Sequence, residues 1–315
     1  MKSNNTNLVA FIGNVDYVKT AYADLKSQDN VTLIENSCFD YYKAICGKLH
    51  IKPLNSIYYL LSVYFAIRYC SKTKKNVFLF HGVDYLWMFD LPLLSIAKKR
   101  YNAKCVGYFW DVIDFVKYSV PNYKNVLDLI VTIDEELALE SGVVYYPIFY
   151  TEEIVSGNVE KSDVFFCGED GGRLELLETV LSVLSKRGLK CDFYCSKSPF
   201  AGKVINGIKH IKSMPHSEYI SHIKSCGIIL DIVKPGVKCC SLRFCEAVIY
   251  EKKLLTNNPS IRNLSIYNEN QFYVFDKNVY IDNCFLDAPL SIKPEAKKEV
   301  SPLRFVEFIY FKLGI

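Results

Sequence analysis

Ten short apolar runs, each followed by a polar or helical stretch, constrain this chain more than any other feature of it. The first five are "LVAFIG" (8–13), "VTLIE" (31–35), "VFLF" (77–80), "KCVGYFW" (104–110) and "DLIVTI" (128–133). Near-continuous runs of Val, Ile and Phe, separated by segments of helical length, describe strands buried on both faces. That is a parallel sheet with helices above and below. The unit ends at "VVYYPIFY", where Pro147 argues against a long central strand. The polar "TEEIVSGNVEKS", Thr151 to Ser162, has no apolar periodicity and reads as a linker. The alternation then restarts with "DVFFCG" (163–168), "KCDFYC" (190–195), "GIILDIV" (227–233), "KLLTN" (253–257) and "QFYVF" (271–275). Helices are expected near 172–187, 216–225 and 241–250, with a final amphipathic helix over 302–312. The chain therefore reads as α/β, with one domain over 1–150, a second over 163–300 and a terminal helix over 301–315. Ligands of open α/β sheets sit beyond the carboxyl ends of the strands, so a cleft between the halves is the expected site.

Composition supports this division. A chain of 315 residues is long for one hydrophobic core, and half of it is apolar with only 15 Gly and 11 Pro, so it should fold throughout. The 38 basic and 34 acidic residues leave a net charge of +4, too small an excess to argue for nucleic acid. Twelve Cys form no C-x-x-C pair, and Cys239, Cys240 and Cys245 lack flanking ligands at zinc spacing. Reduced thiols, a cytoplasmic location and no metal are expected. "MKSNNTNLVAFIGN" contains no signal-peptide core. The most apolar stretch, "SIYYLLSVYFAI" (56–67), falls short of the ~20 residues that span a bilayer. Its basic flanks suit contact with anionic lipid at the cytoplasmic face of the membrane or with a lipid-linked acceptor. Its apolar circumference is equally the mark of a buried helix.

Two stretches carry candidate chemistry. In "FFCGEDGGRLELL" (165–177), a strand enters a glycine turn and then a helix. Glycines let backbone N–H groups approach a phosphate, and the helix N-terminus adds partial positive charge. Arg173 offers a bidentate contact, while Glu169 and Asp170 would repel an anion unless they point away. The spacing matches neither the dinucleotide nor the Walker pattern, and an ordinary turn capping a helix is the plainer alternative. In "DIVKPGVKCCSLRFCEAVIYEKKLLTNN" (231–258), Pro235 and Gly236 turn the chain and Ser241 stands at a helix N-cap. Arg243 and Glu246 share a helical face, as diphosphate partner and sugar-hydroxyl acceptor, or as a weak pair on a solvated surface. Asp111, Asp114, His81 and Asp84, at or just beyond strand ends, are candidates for a proton-accepting base, with Asp111 also a natural helix cap. Asp134 reads as a cap. His210, His216 and His222 read as surface or capping residues.

The second stretch resembles the donor-nucleotide motif of GT-B-fold glycosyltransferases, in particular a bacterial polysaccharide and lipopolysaccharide biosynthesis group. Those proteins tend to read Pro-Gly, a polar loop, Leu-Arg-x-x-Glu-Ala, then a Lys-Lys-Leu-x-Thr-Asn strand. "DVFFCGEDGGRLELL", "GYFWDVIDFVKYS" and "VTIDEELALESGVVYYPIFY" are similar to other parts of the group. The likeness covers residues 77 to 275 and is most specific at 234–258. It implies two Rossmann-like domains facing a cleft, the first for the acceptor and the second for a nucleotide sugar, with the terminal helix crossing back. It also implies that Gly168, Gly171, Gly172, Arg173, Gly236, Ser241, Leu242, Arg243, Glu246 and Asn257 surround the nucleotide sugar. Asp111 and His81 would be catalytic, and neither metal nor further cofactor would be needed. The implied activity is transfer of a sugar to a glycan or lipid-linked acceptor in surface polysaccharide biosynthesis (lipopolysaccharide, capsule or O-antigen). A nucleotide-sugar epimerase and a non-catalytic binding subunit are the alternatives. One departure stands out. Many retaining relatives carry Glu-x7-Glu, and here Lys238 occupies the position of the first glutamate.

Overall fold

The computed structural model describes residues 5–35, 68–82, 95, 98–110, 123–155, 157 and 159–315. Asp84, Asp111, Asp114 and the aromatic stretch 56–67 lie outside them. The chain divides into two compact units, 1–147 together with 301–315, and 148–300.

The first unit is a parallel six-stranded sheet in the order β2-β1-β3-β4-β5-β6. Its strands are β1 (Thr6–Phe11), β2 (Val31–Ile34), β3 (Lys75–His81), β4 (Ala103–Phe109), β5 (Leu129–Thr132) and β6 (Val144–Tyr145). The three central strands bury nearly every residue, as their unbroken apolar runs require. Register is continuous across them, with Ala10 beside Leu79 and Leu79 beside Val106. Phe11 and Phe80 stack across β1 and β3 with ring centroids 5.1 Å apart. Two helices in this unit are α1 (Asp16–Ala21) and α2 (Glu135–Ser141). Asp134 caps α2 by accepting the Leu137 N–H at 3.0 Å. β6 has only two residues, consistent with the nearby Pro147.

The second unit holds β7 (Val164–Glu169), α3 (Leu174–Ser185), β8 (Cys191–Ser196), β9 (Val204–Ile205) and β10 (Ile208–His210). It continues with α4 (His216–Ser225), β11 (Ile228–Asp231), α5 (Leu242–Ile249), β12 (Lys253–Thr256), β13 (Phe272–Val274), α6 (Asn283–Asp287) and α7 (Ala296–Glu299). The sheet runs β13-β12-β11-β7-β8-β10-β9 and is parallel except for β9. β9 and β10 form a hairpin turned by Asn206 and Gly207, both at positive φ. Asn-Gly is the standard signal for such a turn, but neither strand is long enough to show as an apolar run. α3 places Leu177, Val180, Leu181 and Leu184 on a core shared with Phe166, Phe193, Leu230 and Leu255. Each such side chain removed from water contributes about 2 kcal/mol.

β7 and β11 are neighbours in this sheet, yet the chain leaves them in opposite directions, to β8 and to β12. That reversal is a topological switch point, and its carboxyl edge is where an open α/β sheet opens a crevice for a ligand. The last helix, α8 (Pro302–Leu313), returns to the first unit, where Phe305 lies 4.4 Å from the Tyr108 ring. Among the described residues, no helix is long and apolar enough to cross a membrane.

Candidate functional site

The glycine turn after β7 is held by local chemistry. Gly171 and Gly172 have φ of 52° and 81°, left-handed values that strain a residue with a Cβ. Asp170 accepts from the Gly172 and Leu174 N–H groups, each at 3.2 Å, so its charge is spent on the start of α3. Glu169 pairs with Lys197 at 2.5 Å and lies 3.8 Å from Lys234. The Lys197 hydrogen bond leads in holding its carboxyl below the usual range. Neither acid is left to repel an anion. The stem of Lys234 lies over Gly171, where a Cβ would come within 2.5 Å of it, so the turn and the loop after β11 are packed as one piece.

Two arginines converge beside Gly168. Arg173 donates to the carbonyls of Glu169 (2.8 Å) and Ile232, which joins the turn to the end of β11. Arg243 donates to the Cys167 carbonyl, and its guanidinium lies 3.6 Å from Asp231. A Cβ on Gly168 would lie 2.8 Å from one guanidinium and 3.0 Å from the other, so only glycine leaves room for the pair. The Phe166 ring lies beneath both, 5.6 Å from Arg173 and 5.3 Å from Arg243. Burial first, and then the neighbouring Arg243 charge, lowers the pKa of Arg173. Two cations this close, on the carboxyl edge of the switch point, make a local positive field that favours an anion.

The polar residues of the 231–258 stretch build the frame behind this pair. Asp231, buried at the end of β11, accepts from Ser241 Oγ (2.9 Å) and Thr256 Oγ1 (3.1 Å). Ser241 stands at the N-cap position of α5, but its hydroxyl turns to Asp231 and no side chain caps the helix. The first-turn amides of Leu242 and Arg243 therefore have no side-chain cap. Asn257 brackets Val233, accepting its N–H at 2.8 Å, and Asn258 donates to the Cys239 carbonyl at 2.9 Å. Both act on the loop's backbone, so Asn257 is a positioning residue. Lys253 points away, donating to the carbonyls of Phe285 and Leu286 at 2.6 and 2.9 Å. Gly236 is at the exposed tip of the loop, with φ of 82° and nothing near it. Lys238 is also exposed.

Glu246 is not the partner of Arg243 on a solvated face. It is 2 % exposed, and its Oε2 accepts from Tyr219 Oη at 2.6 Å. Burial pushes its carboxyl up to about 7, against the opposing pull of Tyr219 and Arg243. The structure thus brings together Gly168, Arg173, Ser241, Arg243 and Glu246, with Gly171, Gly172 and Leu242 at the edge. Asp231, Tyr219, Phe166 and Lys234 complete the arrangement without having been anticipated. Asp231 was findable as the one charge ending an apolar strand. Tyr219 comes from another helix and leaves no such signal.

The histidines differ from expectation. His210 and His222 are buried, His210 at 2.7 Å from Ser198 Oγ and His222 at 3.0 Å from Asp192 and stacked on Phe165. His216 is half-buried between Glu153 (3.0 Å) and Tyr150 (3.2 Å). In the first unit, His81 ends β3 with Nδ1 3.0 Å from Tyr22 Oη and its ring against Trp110 and Tyr108. Burial lowers its pKa to about 3, so it is neutral and a weak base at ordinary pH. Among the described residues, no group of three or more His, Cys, Asp or Glu could hold a metal ion.

No protein-family model matches this chain, and no curated protein matches it by sequence. Solved structures do match it over nearly its full length. An alpha-glucosyltransferase in complex with UDP and a 13-mer DNA has a TM-score of 0.62 at 9 % identity, covering 98 % of this chain and 99 % of that one. The fold is GT-B. An alpha,alpha-trehalose-phosphate synthase (UDP-forming) from Burkholderia xenovorans gives 0.55 at 10 % identity, covering 98 % and 100 %. A UDP-GlcNAc 2-epimerase from Neisseria meningitidis, bound to UDP-GlcNAc, gives 0.53 at 9 % identity, covering 97 % and 100 %. At this identity the likeness establishes the architecture, two Rossmann-like domains in one chain, and leaves the chemistry to the site.

Proposed function

We propose that this protein is a glycosyltransferase whose nucleotide-sugar donor is held on the second domain, with its diphosphate between Arg173 and Arg243. The observation that carries this reading is the pair of guanidiniums converging on Gly168 at the switch point. Transfer of a sugar leaves negative charge on the departing diphosphate, and two fixed cations with nearby helix N–H groups stabilise that charge as it develops. In this role they supply what a metal ion would otherwise supply, and no further cofactor enters. Glu246, with Tyr219 fixing it, faces the donor as a hydrogen-bonding carboxyl group. Asp111, two positions past β4 in the sequence, is the base that takes the acceptor hydroxyl proton. His81 is too weak a base for that step and serves as a neutral hydrogen-bonding group. The acceptor is a glycan or lipid-linked saccharide on the first domain, in surface polysaccharide biosynthesis at the cytoplasmic face of a membrane.

The neighbours solved with UDP and UDP-GlcNAc make UDP-sugars the first donors to test. Calorimetric titration with UDP-, GDP-, CMP- and dTDP-sugars should find one that binds, and Arg243→Ala should abolish that binding. Unchanged affinity in Arg243→Ala and Glu246→Ala would overturn the donor assignment. The epimerase among the neighbours supports a second reading. Incubating the bound nucleotide sugar without acceptor separates the two, because an epimerase converts it and a transferase does not. Donor binding with neither outcome would mark a non-catalytic binding subunit.

A further inference from the structure

A cavity of about 380 Å³ opens at the carboxyl ends of β12 and β13, beside the first turn of α3. No step of the proposed reaction uses it. Leu176, Pro259, Val274 and Phe275 give it apolar walls. Pockets of this size, mostly apolar with a few placed polar groups, are typical of small-molecule sites.

Its charges decide what it suits. Asp276 lines it and turns one carboxylate oxygen to the Asn278 N–H at 3.0 Å, so the lining sets two positive charges against one negative. Arg262 also lines it, and its guanidinium makes one long contact, 3.5 Å to the Val274 carbonyl. Lys277 has no hydrogen-bond or ion-pair partner among the described residues. Two underused cations thus flank an apolar space. Asn257 is the only neutral polar side chain in the lining, and it is already committed to Val233. A sugar in this space could pair a few hydroxyls with Arg262 and Lys277, but those facing the apolar walls would go without partners, at a cost of about 1–3 kcal/mol each.

We propose that this cavity binds a phosphate monoester with an aliphatic or aromatic body, its dianionic group between Arg262 and Lys277 and its body against Leu176, Val274 and Phe275. The occupant touches Asn257, and Asn257 fixes the backbone of the loop that leads to Arg243. Occupancy should therefore alter donor affinity, a consequence that rests on the proposed function, whereas binding itself does not.

The test uses the full chain, by calorimetry, with geranyl phosphate and phenyl phosphate as the aliphatic and aromatic probes. Glucose 1-phosphate and inorganic phosphate are the controls. At least one probe should bind tenfold or more tightly than both controls, and the Arg262→Ala, Lys277→Ala double variant should weaken it at least tenfold. Both residues are exposed, so the variant should fold, and a thermal melt matching the parent's checks this. Leu176→Asp should weaken the same probe by replacing apolar wall with a carboxylate that repels the phosphate. Probes that bind no better than glucose 1-phosphate, or binding unchanged in the double variant, would overturn the proposal. A chain that binds no nucleotide sugar but still takes a probe would sink the donor reading and leave this one standing.

Discussion

The carboxyl edges of the two sheets are built from different materials. At the first, His81 ends β3 among Tyr22, Tyr108 and Trp110, neutral and 6 % exposed. At the second, Arg173, Arg243, Asp231 and Glu246 are gathered within two neighbouring strand ends and their helices. The supporting sheets are alike, parallel and apolar on both faces, so the contrast is confined to the residues just past the strands. Fixed charge is what a nucleotide diphosphate needs. Around His81 the first edge is aromatic and offers shape rather than fixed charge.

Asp231→Ala should have the largest effect. It removes the acceptor of Ser241 and Thr256 and the counter-charge of half-buried Arg243, a loss of about 3–5 kcal/mol. Urea unfolding of the second domain should show it, and the first domain's transition should hold still. Loss of both transitions together would mean that the domains do not behave separately.

The two edges should also respond oppositely to pH. His81 has a folded pKa near 3, below its ordinary value, so its contribution is present above about pH 6.5 and is lost as pH falls toward 3. His81→Phe should flatten that decline, by about 5 kcal/mol at most. Glu246 has a folded pKa near 7, above its ordinary value, so its contribution is present below about pH 4.5 and is lost as pH rises through 7. Glu246→Gln should remove that loss, about 3 kcal/mol by the same conversion. Denaturant melts of both variants and the parent at pH 4.5, 6 and 8 provide the check. Slopes of the same sign would contradict the assigned burial.

Arg173→Ala should weaken donor binding by about tenfold to a hundredfold, the worth of a charge-assisted contact or two, with Arg173→Lys recovering part of it. Gly168→Ala should be milder. The new methyl pushes the two guanidiniums apart, costing about 1–2 kcal/mol in donor affinity and little in stability. Titration of the same nucleotide sugar reads both. Equal affinity in Gly168→Ala and parent would mean that the arginine spacing does not matter.

Much of this was legible in the chain. "VFLF" and "GIILDIV" read as strands buried on two faces, because short runs rich in Val, Ile and Phe between polar stretches fit a covered sheet. The restart after Ser162 was legible for the same reason, and so was Asp134 as a cap. The strands that went unseen, β9 and β10, are two and three residues long and carry no periodicity. At the site, glycine turn and helix start were readable as local chemistry, and Arg173 and Arg243 stood out as charges at strand ends.

What the sequence by itself determined was therefore local: which runs are strands, where helices begin, and that the alternation occurs twice. The tertiary structure decided which of those pieces meet. Residues 173 and 243 lie seventy positions apart, and only the switch point between β7 and β11 brings them to one glycine. Ser241 read as a helix cap and became a partner of Asp231. Glu246 read as half of a surface pair and became a buried acid with a raised pKa. Burial and partnership are properties of neighbours in space, and strand order sets those neighbours.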